Sequence, residues 1–203
     1  MKNFFDQTFT TGRLHSLTDG VYAIVITLLV LDLHAPEKSG LTETSLLIDL
    51  QGQVPNFIAY LISFFVVAFL WIRHHWTFTP VEKCNYKTFW LNFAHLLFVT
   101  LIPYTASLVG HYKQDTIAVI FFFGSIGLAT LSLIFLHQHV VTKTEWHSKD
   151  VTKEWVSPTW QVMYASLLFA LGSILISFVN VNGALALWLL LPVWLFFFKL
   201  NTK

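Results

Sequence analysis

The sequence predicts an all-α membrane protein with six transmembrane helices per chain, and three observations predict it. First, 55% of the 203 residues are hydrophobic and only 11% are charged, whereas soluble domains usually carry about 25% charged residues. Second, several apolar stretches reach the length of about 20 helical residues that a hydrocarbon core requires. Third, the connections between them differ sharply in charge. The predicted spans are Leu14–Leu33, Val54–Trp76, Phe89–Val109, Thr116–Leu136, Trp160–Val179 and Gly183–Phe198.

Lysine and arginine lie almost entirely on one side of the predicted bundle. The N-terminal lead and the segments after spans two, four and six hold all of these residues except Lys38 and Lys113. Positively charged connections stay in the cytoplasm. We therefore predict that both termini are cytoplasmic, which requires an even number of spans.

The first span starts with ionisable side chains, because Arg13 and Asp19 lie at its cytoplasmic end. Such residues cost several kcal/mol inside a bilayer and usually have a partner or a function there. The end of span two and the start of span three reach the same depth. They offer these candidate partners: His74, His75, Trp76, Asn92 and His95.

Prolines and tryptophans mark features of the remaining spans. Pro55 and Pro158 fall at the starts of spans two and five, where a missing N–H costs nothing. Pro103 and Pro192 fall inside spans three and six, where they are expected to kink the helix. A belt of tryptophans is predicted at the cytoplasmic interface, formed by Trp71, Trp76, Trp90, Trp155 and Trp160.

One face of the first helix carries a continuous stripe. At 100° per residue, the side chains that align with Arg13 are Ser16, Gly20, Ile24, Thr27 and Leu31, with Leu28 at the edge. Asp19 points about 120° away and is expected to face a neighbouring helix. The stripe has two interpretations: a packing seam between helices, or rings of apolar residues around the axis of an oligomer, which gate by dewetting. Periodicity alone favours the seam.

Enzymatic and metal-dependent functions find little support. Cys84 is the one cysteine, which excludes an internal disulfide and a cysteine zinc site. The pairs His74-His75 and His137-x-His139 are neighbours whose side chains point apart on a helix, without acidic partners. No nucleophile and base occur in a recognisable catalytic context. We predict no catalytic residue, no bound metal and no cofactor.

A secondary transporter is the alternative function. In that case Asp19 and His95 would couple transport to protons. Such a protein would have broken helices and a polar site at the membrane midplane. For His95, an ordinary interhelical hydrogen bond is the simpler expectation.

The motif Arg13-x-x-x-Leu17-Thr18-Asp19-Gly20 resembles the signature Arg-x-x-x-Phe-Ser-Asp-Gly of the transmembrane protein 175 family. These potassium channels comprise an endosomal and lysosomal channel of animals and its prokaryotic homologues. Leucine replaces the phenylalanine of the signature, and threonine replaces the serine. The likeness continues through the first three spans and extends to the second half only by span count. The further matching segments are Ala23–Leu33, Leu70–Trp76 and Asn92–Tyr104.

The resemblance implies a homotetramer of six-helix chains with the first helix lining the pore. It implies that Ile24 forms the narrowest ring, that Thr27 supplies the hydroxyl after it, and that Leu28 and Leu31 form deeper apolar rings. It also implies that the motif holds helices together near the cytoplasmic side, and the residues concerned are Arg13, Thr18, Asp19 and Gly20, with His74 or His75 as partners. The Thr-Val-Gly-Tyr-Gly filter of ordinary potassium channels is absent from this sequence, as it is from the family.

Residues 1–203 are accordingly expected to form a single channel domain. The expected function is a leak-like, potassium-selective cation channel with a hydrophobic constriction. The expected partners are the lipid bilayer, further copies of the chain and permeant potassium ions, with no nucleic acid. The expected location is a prokaryotic cell membrane, crossed several times.

Overall fold

The computed structural model describes residues 7–35, 43–112, 115–148 and 156–189. This part of the chain is almost entirely helical. In chain order its elements are β1 (Thr8–Thr10), α1 (Gly12–Leu28) with a 3₁₀ turn at Leu29–Asp32, α2 (Glu43–Gly52), α3 (Val54–Phe78), β2 (Lys83–Asn85), α4 (Tyr86–His111), α5 (Thr116–Val141) with a 3₁₀ turn at Thr144–Trp146, α6 (Val156–Ser177) and α7 (Val181–Leu189).

Within the described ranges, five helical stretches are long and apolar enough to cross a membrane. They coincide with the first five predicted spans. The predicted sixth span lies largely outside the described residues, and its described part belongs to α7. The five stretches are Gly12–Asp32, Val54–Phe78, Tyr86–His111, Thr116–Val141 and Trp160–Ser177.

Helix α5 lies at the centre of the protomer and α1 at its edge. In α5, 61% of the apolar window is buried, against 28% in α1. A helix that is apolar on every side is covered by lipid or by other helices, and α4, α6 and α3 all pack on α5. Helix α1 packs on α3 and α4 through one face. The buried side chains of that face follow the i, i+3 and i, i+4 spacing of a helix: Leu14, Thr18, Tyr22, Val25 and Leu29.

Local sequence explains where the long helices begin. Asn85 and Thr88 form a capping box at the start of α4, with Asn85 Oδ1 3.0 Å from Thr88 N. Asp115 Oδ1 accepts a hydrogen bond of 2.7 Å from Ile117 N at the start of α5. Helix α4 continues without a break through Pro103.

The short strands were not predicted from the sequence. Strands β1 and β2 pair antiparallel, with Thr8 opposite Asn85 and Thr10 opposite Lys83. The segment after α5 joins them, because Glu82 N donates to Trp146 O at 2.9 Å. We call this end of the molecule the strand end. Three residues in each strand are too few for alternation to be visible in the sequence.

Candidate functional site: the exposed face of α1 and its polar supports

The exposed face of α1 carries the stripe that the sequence predicts. The apolar side chains of Ile24, Leu28 and Leu31 are 59%, 44% and 66% exposed in the protomer. Thr27 is also exposed and lies between them. A contiguous apolar face of this kind on a membrane helix contacts either lipid or another subunit.

Two hydroxyl groups lie on the exposed side of α1, Ser16 before the apolar stripe and Thr27 within it. Ser16 Oγ donates to Gly12 O at 3.1 Å, and Thr27 Oγ1 donates to Ile24 O at 2.8 Å. Each hydroxyl proton is therefore used within the helix. The oxygen lone pairs of both groups remain available on the exposed face, where they can accept hydrogen bonds or face a cation.

Asp19 is held by a tryptophan. Trp71 Nε1 donates to Asp19 Oδ1 at 2.9 Å. The His75 ring stacks on the Trp71 indole, with 5.6 Å between ring centroids and 25° between planes. Positions 71 and 75 share one face of α3. The sequence suggested His74 or His75 as a partner of the motif, and His75 stacks on the indole that holds Asp19.

Thr18 joins a buried chain that runs from α1 through α4 to α3. Asn92 Nδ2 donates to Thr18 Oγ1 at 2.9 Å, and His74 Nε2 lies 2.7 Å from Asn92 Oδ1. Because Oδ1 can only accept, the proton of this bond lies on Nε2 of His74. All three side chains are buried, so each polar atom in the chain depends on its neighbour.

Tyr22 and His95 form a second buried link, between α1, α4 and α5. His95 Nδ1 lies 3.0 Å from Ala129 O and 3.1 Å from Ser132 Oγ. A carbonyl only accepts, so Nδ1 carries the proton and Nε2 is the acceptor. The Tyr22 hydroxyl lies 2.6 Å from that Nε2 and therefore donates to it. His95 thus makes the interhelical hydrogen bonds expected of it.

The two links form one layer. The His74 and His95 rings stack with centroids 5.8 Å apart and an angle of 12° between their planes. Phe78 also stacks on His74, with 4.8 Å between ring centroids. The layer holds the buried face of α1 at Thr18 and Tyr22, just before the exposed apolar stripe begins at Ile24.

Arg13 and Gly20 lie on the exposed side. Among the described residues Arg13 forms no salt bridge. A Cβ atom placed on Gly20 would meet nothing within 4 Å. Neither residue is therefore explained by contacts within the described protomer.

The far end of α1 is also held by polar contacts. Ser107 Oγ donates to Asp32 Oδ1 at 2.7 Å. His111 Nδ1 lies 3.9 Å from the same carboxylate oxygen. Polar contacts to other helices therefore occur both near the start of α1 and after its last turn.

Sequence reasoning found part of this arrangement. Comparison of the depths of the predicted spans identified Asn92 and His95 as candidate partners of the motif. It did not identify Trp71 or Tyr22. Tyr22 lies four residues after Thr18, so the buried helix face was a usable signal for it. No signal in the sequence distinguished Trp71 from Trp76 as the donor to Asp19. Across the described residues, no group of three or more side chains suits a metal ion.

The chain is similar in sequence to several known proteins. The family model of the endosomal/lysosomal potassium channel TMEM175 matches residues 13–103. A protein named as a potassium channel in Chryseobacterium sp. (strain P1-3) is 31% identical over 190 residues, which cover 92% of this chain and 93% of that protein. A potassium channel of Streptomyces collinus is 29% identical over 167 residues, covering 81% and 78%.

A solved structure is similar along nearly the whole chain. It is the crystal structure of a lysosomal potassium-selective channel TMEM175 homologue from Chamaesiphon minutus. It aligns with a TM-score of 0.79 and 26% sequence identity, and the alignment covers 95% of this chain and 98% of the other.

Proposed function

The chain belongs to the TMEM175 family, and from this membership we propose that it is a potassium-selective cation channel. It is a multi-pass membrane protein. We further propose that four copies assemble around an axis, that each chain has six spans within a single domain of residues 1–203, and that both termini are cytoplasmic.

The observation that supports this proposal is the exposed apolar stripe of α1. The side chains of Ile24, Leu28 and Leu31 are 59%, 44% and 66% exposed in the described protomer. In a tetramer around α1, each would form a ring of four side chains. The Thr27 hydroxyl oxygens would then be the polar acceptors closest to the Ile24 ring.

An apolar ring can gate and select without binding an ion tightly. A narrow hydrophobic constriction dewets, which blocks ions until it widens. Ions that pass must lose part of their water, and the cost of that loss differs between potassium and sodium. We propose that the Ile24 ring is this constriction and the site of selectivity.

The polar supports set the angle of the pore helix in this proposal. Thr18 and Asp19 are held from α4 and α3 by Asn92 and Trp71. These bonds act on the buried side and on the flank of α1, so the exposed stripe stays free to face the axis. The role is structural, and it needs no proton transfer.

Two observations favour a channel over a proton-coupled transporter. Helix α4 is continuous through Pro103, whereas a transporter site is typically built from broken helices. Asp19 lies on the exposed side with Trp71, while His95 is buried with Tyr22 and Ala129. The two groups proposed for coupling therefore have different partners.

The test is passive ion flux from liposomes that contain the purified protein. With potassium or sodium as the permeant cation, we expect voltage-driven potassium flux to exceed sodium flux. Ile24→Asn should wet the constriction, raising the flux of both ions and bringing their ratio towards one. Ile117→Asn is the matched control, because Ile117 is similarly exposed, at 64%, but lies on α5.

Unchanged flux and selectivity in Ile24→Asn would remove Ile24 from the constriction. Transport that appears only with a proton gradient would favour the transporter and make Asp19 and His95 the residues to study.

A further inference from the structure

A cavity of about 420 Å³ lies at the strand end, away from the exposed face of α1. Strands β1 and β2 form one wall and the segment that follows α5 forms the other. The lining residues are Thr8, Lys83, Asn85, Lys143, Glu145 and Trp146. Lys83 and Glu145 are exposed, so the cavity is accessible from outside the protein.

More cationic than anionic side chains line the cavity. Lys83 and Lys143 line it, and Lys87 lies close enough to act electrostatically on His139 together with Lys143. Within the part of the chain that the structure describes, none of the three lysines forms a salt bridge. Glu145 is the one acidic residue among those that line the cavity.

The cavity also holds an unused hydrogen-bond donor. Asn85 Oδ1 accepts from Thr88 N at 3.0 Å and from Thr88 Oγ1 at 3.0 Å, and His139 Nε2 lies 3.4 Å away. These contacts fix the orientation of the amide. Among the described residues Asn85 Nδ2 donates to no protein acceptor, so it is available to a ligand.

A fixed aromatic ring completes the wall. Trp146 is 5% exposed, and its ring contacts the His139 ring edge-on at 5.8 Å. Lys143 Nζ lies 5.8 Å from the centre of the Trp146 ring. The indole therefore restricts the position of one of the two lining ammonium groups.

The depth of the cavity in the membrane follows from α4. Trp90 is 67% exposed, as is typical of a tryptophan at the membrane interface. Lys87 precedes it by three residues, or roughly 4.5 Å along the helix. Lys83 and Asn85 lie just beyond, before α4 begins. The basic cavity therefore lies at the level of the lipid headgroups.

We propose that this cavity binds the phosphate group of an anionic lipid in the leaflet at the strand end. Lys83, Asn85 and Lys143 line one space, and a phosphate diester offers the acceptors and the negative charge that their N–H groups can bind. A free phosphate ion shares this chemistry. The depth of the cavity favours the lipid, because basic pockets at this level are suited to headgroups.

A ligand in this cavity would also affect the pore helix, an inference that rests on the proposed channel function. Thr8 lies in β1, and α1 begins at Gly12. A bound phosphate would join β1, β2 and the end of α5, and would hold the segment that leads into the pore helix. Binding itself does not depend on channel activity, so the two proposals can fail separately.

The test is titration calorimetry of the full-length protein in a zwitterionic detergent. The probes are dioctanoyl phosphatidylglycerol, dioctanoyl phosphatidylcholine and inorganic phosphate. We expect binding of phosphatidylglycerol and little of phosphatidylcholine, because the choline ammonium of phosphatidylcholine offsets the charge of its phosphate and is repelled by the two lysines. The double variant K83Q/K143Q should weaken binding on the order of 30-fold, since each lysine near an anionic surface contributes about fivefold. Lys113→Gln is the matched control, because the charge pattern of the connections places it on the other side of the membrane.

Glu145→Gln provides a test in the opposite direction. Removing this exposed carboxylate should tighten phosphatidylglycerol binding several-fold, which misfolding would not do. Inorganic phosphate that binds as tightly as the lipid would overturn the assignment to a headgroup. Equal binding of both lipids, or equal affinity in wild type and the folded double variant, would overturn the site.

Discussion

Thr18 and Thr100 are both threonines inside long helices, yet only one of them supports a neighbouring helix. Thr18 Oγ1 accepts from Asn92 Nδ2 in a buried position, whereas the exposed Thr100 hydroxyl donates to Leu97 O of its own helix. We expect Thr18→Val to lower the free energy of unfolding by about 1–3 kcal/mol, because Asn92 loses its acceptor in a dry site.

Thr100→Val should leave stability within about 0.5 kcal/mol, as is usual for surface changes. Thermal unfolding of both purified variants in one detergent provides the comparison. Equal melting temperatures for the two variants would mean that the Thr18–Asn92 bond contributes no net stability.

For single residues, the sequence predicts how deep in the membrane a side chain lies, but not which neighbouring helix it faces. Asn92 and His95 were identifiable because they are polar and lie at the level of the motif. The donor to Asp19 was not, because Trp71 and Trp76 both lie near the end of α3 and either can supply an indole N–H. Only the packing of α1 against α3 determines which of the two tryptophans faces Asp19.

At the scale of elements, the sequence predicts the two faces of α1 but not the pairing of β1 with β2 at the strand end. The stripe of Ile24, Thr27 and Leu31 follows from helical periodicity alone. Strand β1 pairs with residues about 75 positions away, through three residues only. Pairing of that range depends on where α3 and α4 place their connecting segment, and no local pattern encodes it.

The reactivity of Cys84 can be used to measure how well β1 covers β2. Its side chain is buried beneath β1, with Sγ 3.6 Å from Phe9 O. Burial raises the pKa of the Cys84 thiol to about 11. Because the thiolate is the reactive form, maleimide labelling of the native protein should be slow at pH 7. The rate should rise by about tenfold per pH unit until the pH approaches that pKa.

Loosening β1 should speed up this reaction. The Phe9 ring packs edge-on against Tyr86 at 4.8 Å and near Phe89 at 5.4 Å. We expect Phe9→Ala to increase the labelling rate at pH 7 by about tenfold or more, because the thiol becomes accessible and its pKa falls back. Phe121→Ala, an exposed change on α5, is the control. A rate that Phe9→Ala leaves unchanged would show that β1 does not shield Cys84.

At the scale of the whole molecule, composition predicted more than any single residue did. Five predicted spans correspond to helices because an apolar window of that length has no other stable state in lipid. Composition cannot reveal which helix lies at the centre. That position belongs to α5, which is buried more completely than α1 although both were predicted as ordinary spans.

Arg13 and Asp19 link the protomer to the proposed tetramer. Arg13 is exposed and, within the described residues, forms no salt bridge, while Asp19 is held only from the flank by Trp71. Both lie at the start of the helix that we place on the axis. A charged group that is desolvated between subunits and loses its partner is strongly destabilising.

We therefore expect Arg13→Ala and Asp19→Ala to shift the purified protein from tetramer towards smaller species. Size-exclusion chromatography with light scattering in detergent measures this directly. Lys87→Ala removes an exposed cation of α4 that is not part of the motif, and it should leave the assembly unchanged. If both motif variants instead elute as intact tetramers but melt at a lower temperature, the motif acts within the protomer, through Trp71 and α3. The rings of α1 would then be held together by their apolar contacts alone.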